Sequence, residues 1–401
     1  MRKNIRHNTV RLYLWLKLLL AIGSAFTAST YVLFLLSRGL DIFQVSLVNL
    51  FFFATLTVFE IPTGLIADTL GRKISFVAYS VFWGAGMLIY FFAQSFWLFA
   101  LAESVAAIGA TLASGAFDAW LVDRLKYFGD DRDLTPVFSR ALQLNSLGAI
   151  IGALVGAWVG SYNLALPWLI SAIFALITGV LSAVLMKEEY FVRSRLAWNA
   201  VCGSVARIGR LSFNFARGNQ VFAFLLLVAM VQQFGVSAPN MQWQVYFLEF
   251  FSDQKLLGIV FAGISLFTIV GAWLSPKLKA KVGSARRGLL LAQMIIGASL
   301  IGAAVASVPI VAIAFFFTHE LGRGLFAPIK NQYLNANIPS KERATLLSMD
   351  SIAHHFGGVG GLIVTGYLAR AVSVNAAWIF SGVILVGFAL LFLRPRKKRT
   401  A

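Results

Sequence analysis

Apolar residues in this chain are collected into long runs, and short polar segments separate the runs. A helix that crosses a bilayer needs about 20 mostly apolar residues, and twelve runs have about that length. The pattern therefore predicts an all-α membrane protein with twelve transmembrane helices. The predicted spans are Tyr13–Leu36, Phe43–Ala67, Ile74–Ala93, Phe96–Val122, Phe138–Gly160, Leu166–Met186, Val221–Phe247, Leu256–Leu274, Leu289–Ala306, Val308–Leu334, Leu346–Leu368 and Ala376–Leu393.

The longest polar segment, 187–220, divides the predicted spans into two groups of six. We predict an N-terminal six-helix bundle at 1–186 and a C-terminal six-helix bundle at 221–401, joined by a basic cytoplasmic linker. Within the linker, apolar residues recur at intervals of three and four from Trp198 to Phe215, with arginines on the opposite face. This pattern favours an amphipathic helix on the inner leaflet over an ordinary linker.

Lysine and arginine are distributed very unevenly between the alternate loops. With the N-terminus in the cytoplasm, most of the 34 basic residues fall in cytoplasmic segments. The outer loops contain Arg38, Lys255 and Arg370, and the spans contain Lys17, Arg323 and Lys330. Because cytoplasmic loops are enriched in lysine and arginine, both termini are predicted to be cytoplasmic.

Composition agrees with a membrane protein and excludes other classes. Apolar residues make up 59% of the 401 residues and charged residues only 12%. A soluble domain carries about 25% charged residues, because water must wet its surface. The net charge of +18 lies at the ends of apolar runs, so it does not indicate nucleic acid binding. A single cysteine, Cys202, excludes a disulfide framework and a multi-cysteine metal site.

The most distinctive local sequence joins the second and third spans. It reads Gly64-Leu65-Ile66-Ala67-Asp68-Thr69-Leu70-Gly71-Arg72-Lys73. The pattern resembles the cytoplasmic signature of the major facilitator superfamily, G-x-x-x-D-R-x-G-R-[RK]. Thr69 departs from the signature, since the family usually has arginine there. The second half of the chain matches the signature only poorly.

The resemblance implies two pseudo-symmetric six-helix bundles that transport a solute by alternating access. Gly115 and Phe117 in span four recur as Gly324 and Phe326 in span ten, which fits a duplicated fold. The resemblance also implies an inner gate at the signature, whose partner in span four is Asp123. The alternative is a solvated carboxylate beside Arg124. The predicted gate residues are Gly64, Asp68, Gly71, Arg72, Lys73 and Asp123.

Ionisable residues inside a membrane are costly and tend to mark the transport path. In span ten, Glu320 and Arg323 are three residues apart and can pair on one face, with His319 beside them. A low dielectric favours the neutral carboxyl and the arginine favours the charged one, so Glu320 is the predicted proton carrier. A static ion pair is the alternative. The predicted coupling and substrate residues are Glu320, Arg323, His319, Glu103, Glu60 and Asp118.

Two further features bear on the path. Glu103 stands where many proton-coupled drug antiporters of the family have arginine, which weakens a direct transfer of their mechanism, and it is the predicted second carrier. Polar and aromatic side chains of spans one and seven predict a cavity, although some of the aromatic ones would equally suit the membrane interface. The predicted lining residues are Tyr31, Gln232, Gln233, Asn240 and Trp243.

We predict proton-coupled efflux of an amphipathic small molecule by a multidrug-type antiporter. Uptake of a sugar or organic acid, with Arg323 as an anion anchor, is the first alternative. An intramembrane enzyme or a receptor is the alternative from another class, but the sequence has no dense catalytic cluster, nucleotide loop or sizeable extramembrane domain. We expect no metal and no cofactor other than the proton gradient. The expected partners are a small-molecule substrate and membrane lipid, without nucleic acid, for a monomer in the bacterial inner membrane.

The charge asymmetry generates a prediction about topology. In a background with Cys202 replaced, Lys255→Cys should react with an impermeant thiol reagent in intact cells, and Lys279→Cys only after permeabilisation. Labelling of Lys279→Cys from outside would contradict the twelve-span arrangement with cytoplasmic ends.

Overall fold

The chain folds into long α-helices. The structure is a computed structural model that describes residues 2–113, 115–130, 132–191, 215–339 and 342–393, except for the side chains of residues 2–5, 61, 65, 68 and 344. The helices are α1 (Arg2–Ala25), α2 (Tyr31–Ser37), α3 (Ile42–Leu70), α4 (Arg72–Phe92), α5 (Phe96–Ala113), α6 (Ala116–Tyr127), α7 (Thr135–Gly160), α8 (Leu166–Leu185), α9 (Gln220–Leu248), α10 (Leu256–Val282), α11 (Ala285–Val305), α12 (Pro309–Asn337), α13 (Arg343–Ala371) and α14 (Val374–Leu393).

The helices follow the predicted apolar runs. By length and composition, ten segments in the described ranges are able to cross a membrane. They correspond to predicted spans two to ten and to span twelve. The first predicted span corresponds to α1 and α2, and the eleventh corresponds to α13. Most of the predicted amphipathic linker helix lies outside the described residues, which resume at residue 215.

Two predicted spans are not single helices, which corrects the sequence-based expectation. Span one is interrupted by turns between α1 and α2, where the Ser29 hydroxyl donates to the Ala153 carbonyl of α7 at 3.2 Å. Turns replace helical bonding in this segment, since the Ala28 N–H donates to the Ala25 carbonyl oxygen at 3.1 Å. Span four is divided between α5 and α6, where Gly115 adopts φ +69. Only glycine adopts this left-handed conformation readily.

Two compact units make up the chain. Unit 1 comprises Met1–Leu40, Phe51–Val205 and Phe251–Ala262, and unit 2 comprises Asp41–Leu50, Ala206–Phe250 and Gly263–Ala401. The first turns of α3 thus belong to unit 2, and the first turns of α10 belong to unit 1. The prediction placed residues 41–50 in the bundle at 1–186 and residues 251–262 in the bundle at 221–401.

Unit 1 is built around an aromatic core and a glycine seam. Tyr13, Phe76 and Trp120 are almost fully buried in one apolar cluster. Along α7, glycines recur every fourth residue and face α1 at very short range. A Cβ on Gly152 would lie 2.3 Å from the Ile22 carbonyl oxygen. Small residues let backbones approach closely in membranes, so this seam fixes α1 against α7.

Unit 2 has its own apolar core and a similar close contact. The cluster includes Phe222, Leu289 and Ile296, which are fully buried. A Cβ on Gly324 of α12 would lie 2.1 Å from the Thr268 carbonyl oxygen of α10. This glycine therefore lets α10 approach the polar face of α12.

The glycine seam generates a prediction about stability. A Cβ on Gly156 would lie 1.9 Å from the Phe26 carbonyl oxygen, so Gly156→Ala must push α1 and α7 apart. Overpacking of this kind costs about 1–3 kcal/mol, and we expect a lower melting temperature in detergent. Gly387→Ala is the matched control, because no atom lies within 4 Å of its added Cβ. Equal melting temperatures for the two variants would contradict the packing role of the seam.

Candidate functional site

Unit 2 contains a buried charge cluster centred on Glu320. The carboxylate is 2% exposed and accepts from Arg323 Nη1 at 2.9 Å and 3.2 Å through its two oxygens. Thr268 Oγ1 donates to Glu320 Oε2 at 3.3 Å. Arg323 Nη1 also donates to the Asn240 amide oxygen at 3.0 Å. The structure thus brings three predicted residues into one hydrogen-bonded set and adds Thr268, which the sequence pattern did not single out.

His319 completes this cluster on the other side of Glu320. Its ring is fully buried, with Nδ1 3.1 Å from the Ile296 carbonyl oxygen and Nε2 3.8 Å from Glu320 Oε1. A carbonyl oxygen only accepts hydrogen bonds, so in the neutral form of the ring Nδ1 carries the hydrogen. Nε2 then presents a lone pair toward the Glu320 carboxylate.

A second buried ion pair lies further along α12. Lys330 Nζ contacts Asp350 Oδ2 of α13 at 2.5 Å, and these side chains are 10% and 13% exposed. The other Asp350 oxygen is buried without a hydrogen-bond partner. His354 lies one turn beyond Asp350 on α13. The sequence pattern did not predict that Lys330 and Asp350 pair.

In unit 1, Glu103 of α5 is buried beneath aromatic residues. Tyr31 Oη and Tyr90 Oη both donate to Glu103 Oε1, at 2.7 Å and 2.6 Å. Trp168 stacks on Tyr90 with ring centroids 3.8 Å apart. Two phenol donors on one oxygen stabilise a carboxylate without water. Tyr31, which was predicted to line a cavity, here bonds to a predicted proton carrier.

Asp118 lies in the first turn of α6 and pairs with a lysine for which the sequence pattern predicted no role. Lys17 Nζ of α1 contacts Asp118 Oδ1 at 2.8 Å, and Tyr13 Oη donates to the same oxygen at 2.8 Å. A lysine inside an apolar span was itself a signal, since such charges are rare and usually functional. Its partner is about a hundred residues away in the chain and could not be identified from local spacing.

The turn between α3 and α4 positions the predicted gate residues. Gly71 has φ +111, and Arg72 Nε lies 4.0 Å from Asp123 Oδ2. Gly64 faces open space, and the Asp68 side chain lies outside the described residues. Arg124, the neighbour of Asp123, is buried and bonds to the Lys187 carbonyl oxygen at 2.9 Å.

Glu188 holds the start of α4, a role that the sequence pattern did not indicate. Its carboxylate accepts from the Arg72 backbone N–H at 2.7 Å and also from that of Lys73. Burial raises the pKa of Glu188, and the two backbone N–H donors oppose that shift. A carboxylate at a helix N-terminus is favourable, so Glu188 ties the segment after α8 to the gate turn.

The remaining predicted residues are scattered. Gln232, Gln233 and Trp243 of α9 are at most 8% exposed. Glu60 lies in α3, where its backbone carbonyl accepts from the Thr63 hydroxyl at 3.3 Å. Among the described residues, no group of three or more histidine, cysteine, aspartate or glutamate side chains could hold a metal ion.

Comparison with known proteins places these features in a family context. The sequence model of the Major Facilitator Superfamily matches residues 14–288 and 208–401, which together reach almost the whole length. The chain is also similar to the uncharacterized MFS-type transporter YxaM of Bacillus subtilis (strain 168). The two are 24% identical over 379 residues, which cover 92% of this chain and 91% of the relative.

Solved structures share the fold at low sequence identity. A point mutant of the nucleoside transporter NupG is 14% identical with a TM-score of 0.80, over 97% of this chain and 99% of that one. A point mutant of the peptide transporter POT in complex with sulfate is 14% identical with a TM-score of 0.76, over 96% and 93%. An inward-facing bacterial homolog of the human lysosomal transporter Spinster is 14% identical with a TM-score of 0.69, over 96% of both chains.

The contact of Glu188 with α4 generates a prediction about pH. The pKa of Glu188 is raised in the folded protein. The stability that this shift contributes is therefore fully present below the ordinary carboxyl pKa of about 4.3. That contribution is lost as the pH rises through the raised value. Glutamine cannot titrate, so the melting temperature of Glu188→Gln should rise by about a few degrees relative to wild type as the pH increases above about 4.3.

Glu189→Gln is the control, because Glu189 contacts Arg124 at 3.3 Å rather than the start of α4. A difference between Glu188→Gln and wild type that did not change with pH would contradict this assignment.

Proposed function

The chain belongs to the Major Facilitator Superfamily, and on that premise we propose that it couples the export of a small amphipathic compound to proton entry. As a member of that family it is an integral membrane transporter of a small molecule and not an enzyme. The proposal concerns what drives transport, in which direction, and through which residues.

The observation that supports proton coupling is the contact between His319 and Glu320. A neutral His319 turns its Nε2 lone pair toward the Glu320 carboxylate at 3.8 Å, and two acceptors repel each other. One proton between these groups removes the repulsion. The cluster therefore favours the uptake of a single proton at a site shielded from water.

Arg323 competes with that proton for Glu320. Both carboxylate oxygens accept from Arg323 Nη1 when Glu320 is charged, and a protonated carboxyl would hold the guanidinium less strongly. Protonation thus frees Arg323, and re-formation of the pair expels the proton. Removing one partner of a buried pair is costly. The paired state with charged Glu320 and the unpaired state with protonated Glu320 therefore differ substantially in free energy.

Other carboxylates are proposed in supporting roles. Glu103 is the second carrier, because it is 6% exposed and its charge is stabilised by Tyr31 and Tyr90. Glu60 and Asp118 remain further candidates for coupling. Buried amides and aromatic rings suit an amphipathic compound, and the residues proposed to line the substrate path are Tyr31, Gln232, Gln233, Asn240 and Trp243.

The turn between α3 and α4 is the proposed inner gate. Arg72 and Asp123 are 4.0 Å apart at side-chain exposures of 25% and 42%, where an ion pair exchanges partners at low cost. Asp68, from the signature, would complete this charge cluster, with Gly64 allowing close helix approach, and Gly71 and Lys73 shaping the turn. We further propose that the protein acts as a monomer in the bacterial inner membrane, with both termini cytoplasmic and lipid around its apolar faces.

Proton-coupled uptake of a metabolite is the second candidate. Arg323 keeps 28% of its side chain exposed while bound to Glu320, so it could receive an anionic or polar substrate group. The similar structures of a nucleoside transporter and a peptide transporter favour polar substrates in the same fold.

Glu320→Gln tests the coupling proposal in liposomes with an imposed pH gradient, screened against cationic dyes and sugars. Glutamine cannot bind and release the proton, so gradient-driven accumulation should fall to the level of protein-free liposomes. Exchange of substrate down its own gradient should persist. Glu249→Gln, at an exposed glutamate beyond α9, is the matched control and should keep full uphill transport. If Glu320→Gln kept uphill transport with an unchanged pH dependence, Glu320 would not be the coupling residue.

A further inference from the structure

Unit 1 contains a small set of groups that would recognise a positive charge. Lys17 Nζ contacts Asp118 Oδ1 at 2.8 Å and lies 5.5 Å and 5.4 Å from the ring centroids of Tyr13 and Phe117. The Tyr13 hydroxyl donates to the same Asp118 oxygen at 2.8 Å. A carboxylate and two ring faces within about 6 Å are the chemistry that binds organic ammonium ions. We name Tyr13, Phe117 and Asp118 the ammonium box.

The ammonium box is rigid. The Tyr13 and Phe117 rings are 4.8 Å apart, and Phe117 stacks on Phe76 at 4.2 Å. All three rings belong to the buried core of unit 1, where they are at most 3% exposed. Gly115, in its left-handed conformation, ends the preceding helical segment, so Asp118 falls in the first turn of α6. The positive end of the helix dipole favours its negative charge there.

The ammonium box is also within reach of a solute. The Asp118 side chain is 48% exposed and that of Lys17 is 27% exposed, so the ion pair is not sealed inside the core. Lysine has a long flexible stem, and its ammonium can leave while the carboxylate and rings stay in place. The pair therefore differs from Lys330 and Asp350, which are 10% and 13% exposed.

We propose that the ammonium box binds the cationic nitrogen of a transported amphipathic amine, and that Lys17 occupies the site when no substrate is bound. Lys17 thus acts as a tethered competitor that a free cation must displace. This names a substrate class for the proposed export function and rests on that function for its physiological meaning. It also keeps Asp118 paired in the empty carrier, since an unpaired charge within an apolar span is unfavourable.

Displacement has a measurable consequence. A tethered group competes at an effective concentration on the order of millimolar, which weakens the apparent affinity of a free cation. Removing the lysine charge frees the box for a free cation. The apparent affinity for that cation should then rise in inverse proportion to the fraction of wild-type protein whose box is not occupied by Lys17. We expect a gain of about tenfold or more for a lipophilic monovalent cation.

The test is equilibrium binding of radiolabelled phenethylamine, a small amphipathic primary amine, to the full-length protein in detergent, without any gradient. Lys17→Met and Lys17→Gln should each bind about tenfold more tightly than wild type. Lys126→Met is the matched control, because Lys126 is an exposed lysine of α6 outside the box, and its affinity should equal wild type. Adding Asp118→Asn to either Lys17 variant should abolish the gain.

Two outcomes would overturn the proposal. One is unchanged affinity in both Lys17 variants when they elute as wild type and melt at the same temperature. The other is a gain for the anion benzoate in Asp118→Asn, which would make Lys17 an anion anchor instead. Because binding is measured without transport, this test can fail while Glu320→Gln still abolishes coupling, and the reverse can also occur.

Discussion

A hydrocarbon environment provides no water to solvate a charge, so each ionised side chain in a span must be neutralised by neighbouring protein groups. Glu320 is held by Arg323 and Thr268, Lys330 by Asp350, and Asp118 by Lys17. Each partnership lies within a single compact unit. A transporter under this constraint cannot admit a proton or a charged solute without displacing a resident partner. Each exchange of partners at such a site would leave one charged group unpaired until it found a new partner.

The same constraint explains why the fold could be predicted from sequence. Every span must satisfy its backbone internally and expose apolar side chains, so it appears as a long hydrophobic run. The predicted fold class, an all-α membrane protein of the major facilitator fold, is confirmed. Hydropathy could not predict the breaks at Phe26–Thr30 and Gly115, because small polar residues and glycine barely interrupt an apolar run. At the break in span one, Ser29 bonds to Ala153 of another helix, and local sequence does not reveal that contact.

The site could be predicted only where it is local in sequence. Glu320 and Arg323 are three residues apart, so helical spacing predicts that they can meet. Lys17 and Glu188 were assigned no role, because their partners Asp118 and Arg72 lie on distant helices. Nothing in a single sequence fixes which helices are neighbours. A charged residue inside an apolar run indicates that a partner exists without identifying it.

The glycine seam gives α7 two faces with different freedom to vary. On one face, Gly148, Gly152 and Gly156 leave no room for any side chain against α1. On the other, Leu147 and Trp158 are more than half exposed, so close packing does not restrict the size of an apolar side chain there. Mutational tolerance along this helix should therefore alternate sharply with the helical repeat. Drift in the sequence would be confined to the exposed face, and the positions facing α1 would change only together with their neighbours on α1.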